Sequence, residues 1–322
     1  PSKARAALIC SEQTIKFLLW NKLFHLLLFL LQHRENTMID EIFEKFDGAF
    51  SENTLRAYRS DFQQYEAWCV TNKQSSLPAT ADLIAEYVDY MATKNKSATI
   101  RRRINSLGTI FKLSKNPDPT KDPAVTLALK RMHRKIGRQQ KQATPLTKDI
   151  LDQMLEQCDD DTRGLRDQIL LRLGYETMRR RSEIYGFTFD DLTNIPRRGH
   201  AIRLVKSKTD QEAASKLIPI SQGLVDLILS WQARAKIEGA ILRSVDRHGN
   251  IGPQLRAGSV CIILNRALAK TSLPDHGARF SGHSFRVGAA IDLVESGESL
   301  ETIMLRGGWR SNDSAMNYLR SW

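Results

Sequence analysis

The run Ser281-Gly282-His283-Ser284-Phe285-Arg286-Val287-Gly288-Ala289-Ala290, followed by Gly307-Gly308-Trp309 and then by Tyr318 nine residues beyond that tryptophan, decides how this chain is read. His283 and Arg286 stand three apart, so on a helix they share a face. Tyr318 is a potential nucleophile, although a phenol with a reference pKa of about 10 attacks poorly at neutral pH unless helped. A phosphodiester repels attack by its own charge. Cations must therefore surround its non-bridging oxygens, where negative charge builds in the transition state. Arginine suits that task, because its planar fork pairs two oxygens and stays protonated. The leaving alkoxide also needs a proton donor. Further candidates lie upstream: Arg180, with Glu183 one helical turn on, and Lys208 in an apparent β-hairpin. Taken singly, each is an ordinary core or surface residue; only the ordered set points to chemistry on a nucleic-acid backbone.

The balance of charge agrees. The chain has 322 residues, 41% hydrophobic and 26% charged, which suits a globular protein of two domains. Its formal net charge of +12 favours a polyanionic partner, nucleic acid before acidic membrane. Cys10, Cys69, Cys158 and Cys261 are scattered, without zinc-type spacing or a disulfide framework, as expected of thiols in a reducing compartment. No metal site and no cofactor are expected. The segment 14–31, TIKFLLWNKLFHLLLFLL, is apolar but interrupted by Lys16, Asn21, Lys22 and His25, and Gln32-His33-Arg34-Glu35-Asn36 follows it. A membrane span or signal peptide is not expected there. An extra helix packed on the body or on a partner, and an extension upstream of a start at Met38, both remain open.

From Met38 to about Gly137 the pattern is helical. Ser51 opens a helix carrying Leu55, Tyr58, Phe62, Tyr65 and Trp68 at spacings of three and four. Pro78-Ala79-Thr80 starts the next, with Leu83, Ile84, Tyr87, Val88 and Met91 on one face. Ser97-Ala98-Thr99 caps a third, bearing Ile100, Ile104, Leu107 and Ile110-Phe111, and a fourth runs from about Pro123 to Gly137. The polar segment 138–146 reads as a linker. Beyond it, Thr147 caps the first helix of a second domain, and alternation around Phe187, Phe189 and Leu192, over 201–205 and over 217–220 predicts short strands. The expected fold is mainly α, with a small antiparallel β-sheet in the second domain. Two basic patches stand out. Arg101, Arg102 and Arg103 lie within a helix, where Arg102 projects away from the Ile100/Ile104 face; a cluster from Lys130 through Arg134 reaches Lys141. Both suit contact with DNA, and both also suit a solvated basic face.

The ordered set resembles the tyrosine recombinase (phage integrase) family, and within it the phage recombinases. Ala49-Phe50-Ser51-Glu52, Ala67-Trp68-Cys69, Thr99-Ile100 and Lys141-Gln142-Ala143 resemble the N-terminal domain and linker of such proteins, so the likeness runs from about Met38 to the end. It implies a two-domain DNA clamp: an extension over 1–37, a SAM-like core-binding domain over 38–137, a linker over 138–146 and a catalytic domain over 147–322. It implies that Tyr318 attacks the scissile phosphate to form a 3′-phosphotyrosine, that Arg180 and Arg286 clamp the non-bridging oxygens, and that Lys208 protonates the leaving 5′ oxygen. His283 would assist proton transfer at the nucleophile, Trp309 would donate its indole N–H or pack the pocket, and Glu183 would orient the site. The family pattern selects Arg180 among Arg179, Arg180 and Arg181, three before Glu183, and the Lys-Thr pair favours Lys208 over Lys206. Thr99, Arg101, Arg102, Arg103, Arg134, Lys141, Asn265 and Arg266 would meet DNA.

The partner implied is double-stranded DNA with inverted-repeat arms, bound by a homotetramer on two paired sites through a Holliday junction, in the cytoplasm. No small-molecule substrate is implied, and no high-energy cofactor, because the covalent link conserves the bond energy. A non-catalytic DNA-binding protein on the same fold and a type IB topoisomerase are the alternatives. The chain departs from the pattern in two places. Trp322 ends it four residues after Tyr318, where similar recombinases continue into a helix that docks on the neighbouring protomer, so assembly through another surface or a truncated form is expected. The expected groove-reading helix near 259–269 carries Gly258, Cys261 and Asn265 where charged readers would stand, which implies a different target site.

Overall fold

The computed structural model describes Asp40 and residues 43–138, 142–205, 215–273 and 279–319. The chain divides between Gln140 and Lys141 into two compact units, inside the segment read as a linker.

The first unit is built on α1 (Glu52–Thr71), α2 (Ala81–Met91), α3 (Ser97–Leu113) and α4 (Pro123–Ile136). Side-chain caps start three of them: Ser51 Oγ accepts from Thr54 N, Thr80 Oγ1 from Leu83 N, and Asp122 from Ala124 N with Pro123 at the first helical position. Ser97 differs from expectation. Lys96 is the cap of α3, and Ser97 is already helical, its hydroxyl 3.0 Å from His133 Nδ1. The apolar stripes meet in one core, where Phe62, Tyr65, Ile84, Tyr87, Ile100, Leu107 and Phe111 interlock with Val125, Ala128 and Met132 of α4. Burying each large side chain contributes about 1.5–3 kcal/mol.

The second unit contains α5 (Lys148–Glu156), α6 (Thr162–Thr177), α7 (Arg181–Ile184), β1 (Leu192–Ile195), β2 (Gly199–Leu204), β3 (Lys216–Ile220) and α8 (Gln222–Ala235). After these come β4 (Arg243–Val245), β5 (Ile251–Gln254), α9 (Ala257–Ala269), α10 (Gly282–Glu295), α11 (Leu300–Gly307) and α12 (Asn312–Leu319). Strands β1, β2 and β3 form an antiparallel sheet in that order, with Ile202 opposite both Leu192 and Ile218. Helix α6 is the hub of this unit. Ile169, Leu170, Leu171 and Leu173 are buried around its whole circumference, as a central helix requires.

Two elements differ from the sequence expectation. The alternation at Phe187 and Phe189 does not continue as a strand, because Asp191 accepts both the backbone N–H and the hydroxyl of Thr188 and winds 189–191 into a 3₁₀ turn. The β4–β5 hairpin was not anticipated. It is closed by Asp246, whose carboxylate accepts from the backbone N–H groups of His248 and Asn250. Leu146 lies fully buried in the second unit, its N–H donating to Ser284 O at 3.0 Å, so the end of the linker segment belongs to that unit. Among the described residues no helix is long and apolar enough to cross a membrane; residues 14–31 lie outside them.

Candidate active site

The site gathers where three chain reversals meet. Helix α6 ends at Met178, which takes a left-handed conformation (φ 52°) and turns its carbonyl to accept from Arg286 Nη1 at 2.6 Å. That turn sends the next three arginines in three directions. Arg179 goes inward, 3% exposed, donating to Thr177 O and to Arg306 O. Arg180 becomes the N-cap of α7, and Arg181 stays at the surface. Glu183 holds Arg180 twice, one carboxylate oxygen accepting its backbone N–H and the other its Nη1, each at 3.0 Å. With the Glu183 side chain 4% exposed and that of Arg180 25%, the carboxylate is a buried bracket that aims a half-open guanidinium.

The second reversal begins α10. Ser281 and Ser284 form a reciprocal capping box, which places His283 in the first turn with Arg286 one turn later on the same face. The positive end of the helix dipole thus points at the spot where an anion would sit. The third reversal follows α11. Gly308 adopts φ +69°, and a Cβ there would lie 2.6 Å from Arg179 Nη1, so the Gly307-Gly308 pair lets Trp309 fold back over the site. Helix α12 then delivers Tyr318, whose carbonyl accepts from the Gln142 side-chain amide.

The rings and cations converge. Tyr318 Oη lies 3.4 Å from His283 Nδ1, and the Trp309 and Tyr318 rings are 5.0 Å apart. The Arg286 guanidinium carbon sits 4.8 Å from the Trp309 ring centre and 5.6 Å from that of Tyr318. Beneath them Met178, Ala289, Ala290, Ile303 and Ala315 make an apolar floor. At this site two buried donors, Arg286 Nε and Trp309 Nε1, have no hydrogen-bond partner among the described residues. A buried donor left unpaired costs about 1–3 kcal/mol, so two beside one tyrosine mark a place built for an acceptor from outside the protein.

Electrostatics sharpen the picture. Burial, reinforced by Arg286, pulls Arg179 down to about 10, so it stays protonated at neutral pH. Arg286 is lowered chiefly by burial, with Arg180 adding to the effect and Tyr318 opposing it. His283 is held below its usual value by loss of water around the ring and by Arg286, Arg180 and Arg181, which leaves it neutral and able to accept a proton. Among the described residues no group of three or more His, Cys, Asp or Glu side chains is arranged to hold a metal.

Residues 144–322 match the phage integrase family, and residues 45–115 match the phage integrase N-terminal SAM-like domain. This chain belongs to the phage integrase, or tyrosine recombinase, family. It is 28% identical over 287 residues to an integrase/recombinase XerD homolog of Selenomonas ruminantium, covering 85% of this chain and 83% of the relative. It is 27% identical over 292 residues to recombinase Cre of Escherichia phage P1, covering 85% of each. Its fold is similar to that of a lambda integrase in a tetramer bound to a Holliday junction, with a TM-score of 0.62 at 15% identity over 88% of this chain and 76% of that one.

In this tyrosine recombinase the second unit by itself brings Arg180, Glu183, His283, Arg286, Trp309 and Tyr318 to one site. Lys208 and its competitor Lys206 lie outside the described residues, in the connection between β2 and β3, and Lys141 lies outside them as well. The residues expected to meet DNA fall into two groups. Arg101 and Arg134 are exposed, Thr99 is half-buried in the first turn of α3, and Arg102 is exposed while paired to buried Asp61. The remainder make contacts within the protein. Arg103 lies against Asp61 with its side chain 13% exposed. Asn265 spends its amide on Cys261 O, Phe280 O and Phe280 N, and Arg266 pairs with Asp167. Asn265 therefore pins the segment that leads into Ser281 and His283, because its polar atoms are already satisfied by backbone. Sequence reasoning passed over Arg179 as an anchored cation; the signal available was the triplet of adjacent arginines. It also passed over Lys216, which donates to Leu305 O at 2.9 Å and ties β3 to α11.

Proposed function

We propose that this tyrosine recombinase breaks and rejoins duplex DNA at specific sites through a 3′-phosphotyrosine on Tyr318. The observation that carries the reading is the pair of buried donors without a partner among the described residues, Arg286 Nε and Trp309 Nε1, beside a tyrosine whose hydroxyl lies 3.4 Å from His283 Nδ1. A scissile phosphate seated there supplies the missing acceptors. Arg180, aimed by Glu183, and Arg286 hold its non-bridging oxygens while charge builds on them. His283 takes the proton of Tyr318, the phenolic oxygen bonds to phosphorus, and the bond to the 5′ oxygen breaks. Lys208, by resemblance, gives that oxygen a proton. Attack by a 5′-hydroxyl from the partner duplex reverses the step and frees Tyr318. Because the phosphotyrosine conserves the bond energy, rejoining draws on no high-energy cofactor.

Two rounds of exchange make and resolve a Holliday junction. Four copies on two paired sites with inverted-repeat arms suit this sequence of steps, in the cytoplasm where the DNA lies. The test is to incubate the protein with DNA fragments that flank its own gene and to sequence whatever remains bound after denaturation. A covalent adduct, lost in Tyr318→Phe while DNA binding persists, is expected. Specific binding with no adduct on a nicked suicide duplex would show a DNA-binding protein without strand cleavage.

A further inference from the structure

We infer that Asp61 is a positioning residue for sequence reading, fixing Arg102 so that one two-donor edge of its guanidinium is presented to a guanine in the bound duplex. The inference rests on the proposed action on specific DNA sites and goes beyond the cleavage chemistry. Asp61 lies on α1 and is fully buried, which an ionised carboxylate tolerates only when paired and hydrogen-bonded. Its Oδ2 accepts from Arg102 Nη1 and, at 2.8 Å, from Ser106 Oγ, while Arg103 Nε stands 3.6 Å from Oδ1. Arg103 is the inward cation, 13% exposed; Arg102 is 49% exposed, with its tip clamped from below.

The clamp uses one end of the fork. Nη1 is committed to Asp61, and the opposite edge, Nε with Nη2, makes no hydrogen bond within the described residues. That edge has the spacing that guanine O6 and N7 accept in the major groove. Arg102 borders an open concavity of about 340 Å³ that is also lined by Tyr58, Arg101, Asn105 and Thr109. A guanidinium held before binding loses little rotamer freedom when it docks, so Asp61 converts a mobile surface charge into a directional reader.

The experiment begins with selection from a randomised duplex library by the wild-type protein, followed by affinities for the selected duplex and its single-base-pair variants. R102K keeps the charge but loses the two-donor edge. It should lose discrimination at one G·C pair by roughly 5- to 150-fold while binding to unrelated duplex is retained. D61N should lose discrimination at the same pair, and adding D61N to R102K should cost no further discrimination. A purely structural Asp61 would instead weaken binding to every duplex alike, in both backgrounds. If D61N does not fold, S106A, which removes the second donor on the same carboxylate oxygen, should lower discrimination at that pair several-fold. Full discrimination in folded D61N or in S106A overturns the inference, as does R102K that keeps its preference. Wild-type protein that enriches no sequence would instead overturn the site-specific recombinase reading on which the inference stands.

Discussion

Replacing Trp309 with Phe separates the chemistry of the site from its packing. The indole is 8% exposed, its Nε1 has no hydrogen-bond partner among the described residues, and its ring touches both Tyr318 and the Arg286 guanidinium. Phe keeps a ring in that place and deletes the N–H. On the stability side, Trp→Ala in a core costs about 3–5 kcal/mol, so loss of the smaller pyrrole portion costs about 1–2 kcal/mol. A weaker cation–π contact adds a few tenths of a kcal/mol, roughly. Deleting a buried unpaired donor returns about 1–3 kcal/mol. The terms nearly cancel, leaving a net change of either sign within about 2 kcal/mol, a shift of at most roughly 4–8 °C in a unit of this size. On the chemical side, a preorganised donor to a developing oxyanion is worth about 10²–10³ in rate. Single-turnover adduct formation on a nicked suicide duplex, alongside thermal unfolding without DNA, reads both quantities. W309F should fold normally and cleave roughly 10²-fold more slowly. Adduct formation at the wild-type rate would refute the assignment of Nε1 to the phosphate, and a loss of several kcal/mol in stability would make the indole a packing residue.

Glu183→Gln keeps the shape of the bracket but sets an amide NH₂ against one of two donors from Arg180, so Arg180 loses its aim; adduct formation should fall roughly ten-fold or more with DNA affinity nearly unchanged, as gel-shift and single-turnover assays will report. The His283 imidazole should titrate below 6.5 by NMR, because burial and the nearby guanidiniums oppose its protonation; a midpoint at or above 6.5 contradicts that account. A histidine whose folded pKa is depressed destabilises the native state as pH falls below its unfolded value, so this contribution to stability is complete above that value and declines below it. Gly288→Ala would place a Cβ 1.8 Å from the Leu146 carbonyl oxygen, a backbone atom of a segment that also donates to Ser284 O, so unfolding should be easier by about 3 kcal/mol in a urea titration. Unchanged stability there would mean that the linker end is not seated on α10.

Much of the frame could be read from local pattern, because local pattern causes it. The stripes at Phe62, Tyr65 and Trp68 and at Ile84, Tyr87 and Met91 became core, and Ser51 and Thr80 became caps, since periodicity and cap chemistry act within a few residues. The three-residue spacing of His283 and Arg286 likewise put them on one helical face. Harder to read were features fixed by a single unusual dihedral or by a distant partner. The three arginines diverge because Met178 takes φ 52°, a conformation that favours glycine or asparagine and leaves no mark in a sequence that has methionine there. The expectation that Arg102 projects outward missed that Asp61, 41 residues earlier, reaches it from below. The hydrogen bonds of Asn265 to the backbone of Phe280, 15 residues away, likewise left no mark in the sequence. The β4–β5 hairpin rests on one aspartate turn between strands too short to show alternation.

The way the buried cations are held agrees with the phosphate proposed for this site. Arg179 is anchored by the carbonyls of Thr177 and Arg306, and Arg286 by the carbonyl of Met178. Carbonyls fix a guanidinium in place without cancelling its charge. Glu183, the carboxylate that influences both, is engaged by Arg180. Had carboxylates paired Arg179 and Arg286, an incoming phosphate would have had to displace them and leave buried anions behind, at a cost of several kcal/mol each. Instead the protein accepts burial and mutual repulsion among the arginines, seen in their lowered pKa values, and keeps the positive potential unspent. Burial and the same potential hold the pKa of His283, whose Nδ1 lies 3.4 Å from Tyr318 Oη, below its usual value, which suits the base proposed for it. On the proposed mechanism, a bound phosphate would lower the field at the imidazole just as the phenol must lose its proton, so the group that needs stabilising would also favour the proton transfer that activates its nucleophile.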